Sequence, residues 1–186
     1  MTQKVIIAMV IVVVILALAL VALNWEEIQL KSDINRYNRV IVEELPENIE
    51  LTIYYLPHDI ATRSALSKER LMNMDETVKI VVTAEELSKH KQTLGQLNTS
   101  SVQISEENWG LNARIYYVFK VGDQVLLEVV MQQFVGDDKS FGAFVNDICV
   151  KKSAVLYEVI LPFLTESDCE KMGLVIPDNT GHVPLS

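Results

Sequence analysis

Cysteine, histidine and glycine are all scarce in this chain, and each scarcity removes a class of chemistry. Only two cysteines occur among 186 residues, Cys149 and Cys169, and they form no C-x-x-C or other metal-ligand spacing. That argues against a structural zinc site and a dithiol redox centre. One disulfide between them is the most the chain could make, and the sequence predicts it only if their Cα atoms approach within bridging range. The three histidines are His58, His90 and His182. His58-Asp59 follows a strand end and reads as a solvated turn. His90 sits among lysines, and His182 falls in a polar tail. No G-x-S-x-G or H-E-x-x-H pattern is present, so hydrolases with local signatures are unsupported. Basic residues are also short, 16 Lys and Arg against 25 Asp and Glu. An acidic domain repels phosphate backbones and anionic headgroups, which excludes nucleic acid as the expected partner. There is no cofactor motif, internal repeat or low-complexity tract.

What the chain does have is a run of nineteen apolar residues, Val5 to Leu23, without charge, glycine, proline or hydroxyl. As a helix it would reach roughly 28 Å, close to a bilayer's hydrocarbon thickness. A cleavable signal peptide would use Ala17-Leu18-Ala19 as its exit site, but no breaker separates that site from the apolar run. A retained anchor over residues 1–23 is the expectation, with Trp25 at the headgroup level. The partners implied are the lipid bilayer through residues 5–23 and another envelope protein. An N-terminal apolar segment ahead of one long domain is the usual export arrangement, so the domain is expected outside the cytoplasm. Lys31, Arg36 and Arg39, against Lys4 alone before the span, favour the opposite side.

Beyond the anchor, 15 basic and 25 acidic residues remain, a net charge of −10. Residues 24–39 read as a juxtamembrane helix, with Glu27 and Lys31 at i, i+4 and Leu30, Ile34, Tyr37 and Ile41 on one face. Residues 40–45 and 49–56 read as extended, the second alternating Ile49, Leu51, Ile53 and Tyr55 with more polar neighbours. Ser67 is the expected N-cap of a short helix. Residues 78–83 form a β-branched strand, and Thr83 caps a helix with Glu85 and Glu86 in its first turn, closing near Gly95. A short strand is expected at 102–105.

The strongest β signal flanks Gly122-Asp123, a long hairpin in which residues 116–119 face 126–129. A second hairpin follows around Asn146-Asp147. Ser153 is the expected N-cap of an amphipathic helix that Pro162 shortens. Thr165 caps a last turn stopped by Gly173, and residues 177–186 form a tail. The chain is therefore expected to be α+β: an anchor, then one domain (residues 40–176) with a curved, mostly antiparallel sheet. Two main helices, beginning near Glu85 and Ala154, should pack on one face.

Candidate sites are few. Asp137-Asp138 reads as a solvated turn rather than a cation site, and Asn98-Thr99-Ser100 is a glycosylation sequon only on a secretory route. Trp109, Tyr116, Tyr117 and Phe119 enrich the long hairpin in aromatics. They are the candidate binding surface, with cross-strand packing as the alternative. Period two sends Tyr116 and Tyr117 to opposite faces. The expectation is a membrane-anchored, non-enzymatic domain that binds or scaffolds in the cell envelope. The alternatives are an anchored envelope hydrolase and a ligand-sensing module working with a separate transmembrane partner.

Overall fold

The computed structural model describes residues 2–106, 110–132, 143–151 and 153–173, and within the first helix the side chains at 9–16, 19, 21 and 22. Among the described residues six strands form one sheet: β1 (Ile49–Tyr55), β2 (Val78–Thr83), β3 (Ile115–Val121), β4 (Gln124–Met131), β5 (Ala143–Val145) and β6 (Ile148–Val150). Their order is β2-β1-β3-β4-β5-β6, and every neighbouring pair is antiparallel. Helices α1 (Thr2–Leu23), α2 (Trp25–Asn38), α3 (Lys68–Met72), α4 (Ala84–Lys89), α5 (Lys91–Leu94), α6 (Val155–Glu158) and α7 (Glu166–Met172) complete it. The fold is α+β.

Period two gives the sheet two apolar faces. On one, Ile80, Ile53, Tyr117, Val129, Val145 and Ile148 form a row across all six strands. Leu30, Ile34 and Tyr37 of α2, Leu87 of α4, Leu94 of α5, Leu156 of α6 and Cys169 of α7 close over it in one core. The opposite face carries the row Lys79, Tyr54, Tyr116, Val130, Phe144 and Cys149. A smaller cluster around Leu56, Leu66 and Leu71 covers its middle.

The main helical cover differs from expectation. α4 stops at His90 and α6 is a single turn ahead of a 3₁₀ turn over Leu161–Phe163 that contains Pro162. The longest helix packed on the sheet is α2, whose Leu30, Ile34 and Tyr37 are the buried positions of the expected stripe. That stripe also explains why residues 40–45 are not extended. The chain continues as a π-helical turn, Arg39–Glu44, so that Val40 and Ile41 both stay in the core. A strand would have turned one of them out, and burial outweighs β-branched propensity here. Leu45 ends the turn at φ 36, its N–H donating to Val40 O at 2.6 Å.

Capping follows the sequence closely. The N–H of Arg70 donates to Ser67 Oγ, and Thr83 and Thr165 each close a capping box, with Glu86 and Asp168. Gly173 stops α7 at φ 70, a left-handed value that glycine adopts freely. Ser153 is not a cap: Ala154 holds that position, and the Ser153 hydroxyl donates to Ser101 O at 2.8 Å. Residues 102–105 contribute one bridge, Ile104 to Val150, rather than a strand.

Both hairpins form at the expected turns. Asn146 and Asp147 sit at φ 47 and 63, the double left-handed signature of a type I′ turn. The long hairpin shifts register between Phe119 and Lys120, so that Phe119 pairs with Leu127 and Tyr116 with Val130. The bulge absorbs Leu126 and moves every later pairing by one residue from the expected alignment. It lets Leu126 and Leu127 both be buried. It also places Glu128 opposite Val118 on the second face, where an unbulged strand would set it opposite Tyr117 in the main core.

Among the described residues no helix is long and apolar enough to cross a membrane. The span expected at residues 5–23 therefore rests on its sequence.

Candidate functional site

Three of the four aromatic candidates, Tyr116, Tyr117 and Phe119, are packing residues. Tyr117 and Phe119 are fully buried and Tyr116 is 5 % exposed, so neither side of the hairpin offers them as a binding surface. Tyr117 donates to Leu156 O at 2.7 Å and Tyr37 to Leu94 O at 3.2 Å, tying the sheet to helical segments. Burial pushes both phenols well above their ordinary value, which keeps these donors protonated. Trp109 lies outside the described residues, as do Asp137, Asp138, His182 and the 177–186 tail.

The possible Cys149–Cys169 disulfide is not formed. Cys149 alternates with Ile148 and Val150 and shares the second face with Phe144, whereas Cys169 is buried in the main core under α7. The sheet stands between them, and they are not bonded to each other.

The titratable groups that do converge hold loops in place. The Lys68 ammonium donates to the carboxylates of Glu128 and Asp147, and Tyr116 donates to the second Glu128 oxygen at 2.9 Å. Burial lowers the Lys68 pKa, but the hydrogen bonds from both carboxylates outweigh it and leave a net rise. This cluster fastens α3 to the second face, and the bulge that turns Glu128 outward is what creates it. Arg114, buried beneath the 57–66 loop, donates to Ile60 O at 2.8 Å and Thr62 Oγ1 at 3.3 Å. Its Nε has no hydrogen-bond partner. The His58 ring nitrogen lies 3.1 Å from Lys171 O, and the His90 ring stands edge-on to Phe163 at 5.3 Å. Ser88 and Lys91 have the S-x-x-K spacing of some acyl-transfer enzymes. The hydroxyl, however, donates to Glu85 O and the ammonium to Val42 O, so no nucleophile meets a base. Among the described residues no group of His, Cys, Asp or Glu could hold a metal ion.

The feature with the geometry of a binding site is the free edge of the sheet. The two edges are treated differently. Beyond β6, Ser105 N donates to Cys149 O at 3.0 Å and Lys151 N to Gln103 O at 2.7 Å, so the 103–105 segment covers that edge. Beyond β2, among the described residues, no backbone group bonds to Val78–Val82 on the side away from β1.

The direction of each β2 amide follows from the sheet itself. Leu56 N donates to Arg114 O at 2.9 Å, so the even-numbered residues of β1 direct their backbone groups to β3. Leu51, Ile53 and Tyr55 must then bond Val82, Ile80 and Val78. Lys79 and Val81 are left with both N–H and C=O pointing outward. Thr83 N agrees with this polarity, since it donates to Glu86 Oε2 and not to β1.

Beside this edge lies a groove of about 340 Å³ between β2, α4 and the 162–165 segment. Ile80, Val82, Phe163 and Leu164 form its apolar wall, and Glu86, Lys89 and His90 its polar rim. Val81, which also lines the groove, is 45 % exposed, and on the opposite face the Lys79 ammonium lies 5.7 Å from the Tyr54 ring centre. An added strand would find outward amides and carbonyls for its backbone. Every second side chain would enter the groove. The sequence marked 78–83 as a strand but carries no sign that it is outermost, because edge position is set by long-range pairing.

No protein-family model, characterised protein or solved structure matches this chain.

Proposed function

We propose that the protein is a membrane-anchored, non-enzymatic binding module that takes up an extended segment of another envelope protein along β2. The carrying observation is the asymmetry of the sheet edges: β6 is covered by its own chain, while β2 presents outward backbone groups beside a groove with an apolar wall and a charged rim. Exposed edges of this length invite uncontrolled association unless they are blocked or given a partner. The anchored reading is supported by residues 9–16, eight consecutive apolar side chains each at least half exposed. Water does not tolerate such a surface, but lipid does. The domain is placed outside the cytoplasm, and protease digestion of a C-terminal tag in intact cells, in the membrane fraction, is the expected result.

The binding reading is tested with a photo-crosslinking residue at Lys79 in the full chain, in cells. A discrete adduct is expected from Lys79 and none from Val125, which is 45 % exposed and lies away from the edge. The adduct should vanish when Val81→Pro removes an outward N–H from the same edge. An adduct that survives Val81→Pro, or appears equally from Val125, refutes docking along β2.

A further inference from the structure

We propose that the cavity where α2 enters the domain binds the headgroup phosphate of an anionic phospholipid. This inference rests on the anchored reading above. The cavity measures about 350 Å³, with Glu27, Lys31, Thr99, Gln103 and Lys151 as its polar lining and Leu30, Val102 and Ile104 as its apolar lining.

Its position follows from the helix. Lys31 is six residues beyond Trp25, the first residue of α2, about 9 Å at 1.5 Å per residue. A leaflet's headgroup layer is roughly 5–8 Å deep, and a lysine stem lets its ammonium reach back toward that layer. Trp25, 59 % exposed, sits two residues past the apolar run, at the level where indole rings settle in a bilayer.

The charge of the cavity suits a phosphodiester. Glu27 also lines it, so two lysines against one carboxylate leave a single positive charge. The Lys31 ammonium meets Glu27 at 2.6 Å, but both side chains are half exposed, and such a pair readily shares its cation with a second anion. Lys151 forms no ion pair among the described residues. Hydrogen-bonding side chains of Thr99 and Gln103 add donors for phosphate oxygens. The net charge of −10 beyond the anchor does not override this local field, because acids more than about 8–10 Å away are screened at physiological salt.

The experiment uses the full chain reconstituted in an equimolar mixture of phosphatidylcholine and phosphatidylglycerol, then extracted in mild detergent for native mass spectrometry. The wild type is expected to retain phosphatidylglycerol in preference to phosphatidylcholine. Lys31→Gln with Lys151→Gln should cut that retention about tenfold, from a few-fold per lysine near an anionic surface. Lys31→Arg with Lys151→Arg should restore it, and Lys120→Gln with Lys171→Gln, remote from the cavity, should leave it unchanged. Equal retention by the Gln pair overturns the site, as does equal loss in the remote pair. Binding of inorganic phosphate by a wild type that shows no preference between phosphatidylglycerol and phosphatidylcholine also overturns it, because the ligand is then free phosphate. Recovery of the chain in the soluble fraction after a carbonate wash overturns the anchored reading itself, which separates the two failures.

Discussion

Proline scanning of β2 turns the deduced direction of its amides into a stability measurement. Val81 N–H faces outward and bonds to nothing in the described structure, whereas Ile80 N–H belongs to the ladder with Ile53. Val81→Pro therefore breaks no hydrogen bond within the sheet. It costs only the mismatch between proline's fixed φ and strand geometry, together with a side chain already 45 % exposed, about 1 kcal/mol in all. Ile80→Pro deletes a ladder bond and strands the Ile53 carbonyl, for about 1–3 kcal/mol. It also trims a half-buried side chain and pushes its ring toward β1, which brings the total to about 3 kcal/mol or more.

The two variants, one residue apart, should thus differ by about 2 kcal/mol, a factor of roughly 30 in the unfolding constant. With a urea dependence of about 2 kcal/mol per molar, that is a midpoint separation of about 1 M. The assay is urea unfolding of the full chain in detergent, with amide hydrogen exchange on the wild type as an independent reading. Ile80 and Val82 amides should be protected and those of Lys79 and Val81 should exchange quickly. Protection of Val81 over Ile80, or Val81→Pro as the more damaging change, would refute the assigned polarity and the docking mode built on it.

Three further outcomes follow from the interior. Tyr117→Phe removes a buried hydroxyl 2.7 Å from Leu156 O and leaves that carbonyl unpaired, so thermal unfolding should show a loss of about 1–2 kcal/mol. Lys68→Met strips the cation from Glu128, whose side chain is only 14 % exposed and keeps Tyr116 as a donor. The expected loss by urea unfolding is about 1–3 kcal/mol, and it should shrink when Glu128→Gln is added. Burial raises the Asp168 pKa, but hydrogen bonds from Thr165 and Tyr55 outweigh it and hold the carboxyl below its usual range. A depressed carboxylate contributes stability that is present above its unfolded value near 4 and is lost as pH falls through the folded value. Urea midpoints between about pH 5 and pH 2 should therefore fall less steeply for Asp168→Asn than for the wild type.

How much of this was legible depends on the range of the interaction. Caps and turns are local, and Ser67, Thr83, Thr165, Gly173 and the Asn146-Asp147 turn could each be assigned from a few neighbouring residues. The stripe of Leu30, Ile34, Tyr37 and Ile41 was equally plain, because helical period survives in sequence. Residues 40–45 misled for the opposite reason. Their β-branched composition states a local preference, and the helix simply extended a buried face that only the tertiary structure defines. The hairpin register failed at one residue, since a bulge at Leu126 is chosen by two adjacent leucines both finding cover. Tyr116, Tyr117 and Phe119 failed as a binding surface because period two shows only that Tyr116 and Tyr117 point apart. It does not show that the second face is also covered, by Leu56, Leu66 and Leu71.

That second cover gives the open edge its significance. The chain spends α3, the 57–66 loop and the Lys68–Glu128 contact on closing the middle of a face, and spends the 103–105 segment on closing β6. β2 receives neither a strand nor a loop along its outer side among the described residues, though it is rich in valine and isoleucine and therefore prone to pairing. Lys79 is the one charge on its outward positions, a common but minimal guard against self-association. Sequences that satisfy local rules elsewhere and break one at a single place tend to do so where function requires it. On the proposed docking mode, the outward amides at Lys79 and Val81 and the apolar groove wall at Ile80 and Val82 receive a partner strand, and Lys79 guards the edge until it is bound. Lys79→Val removes the guard while leaving the backbone as it is. It should make the full chain in detergent self-associate in a concentration-dependent way by light scattering. If it stays monodisperse, the edge is closed by some other means and the docking argument fails with it.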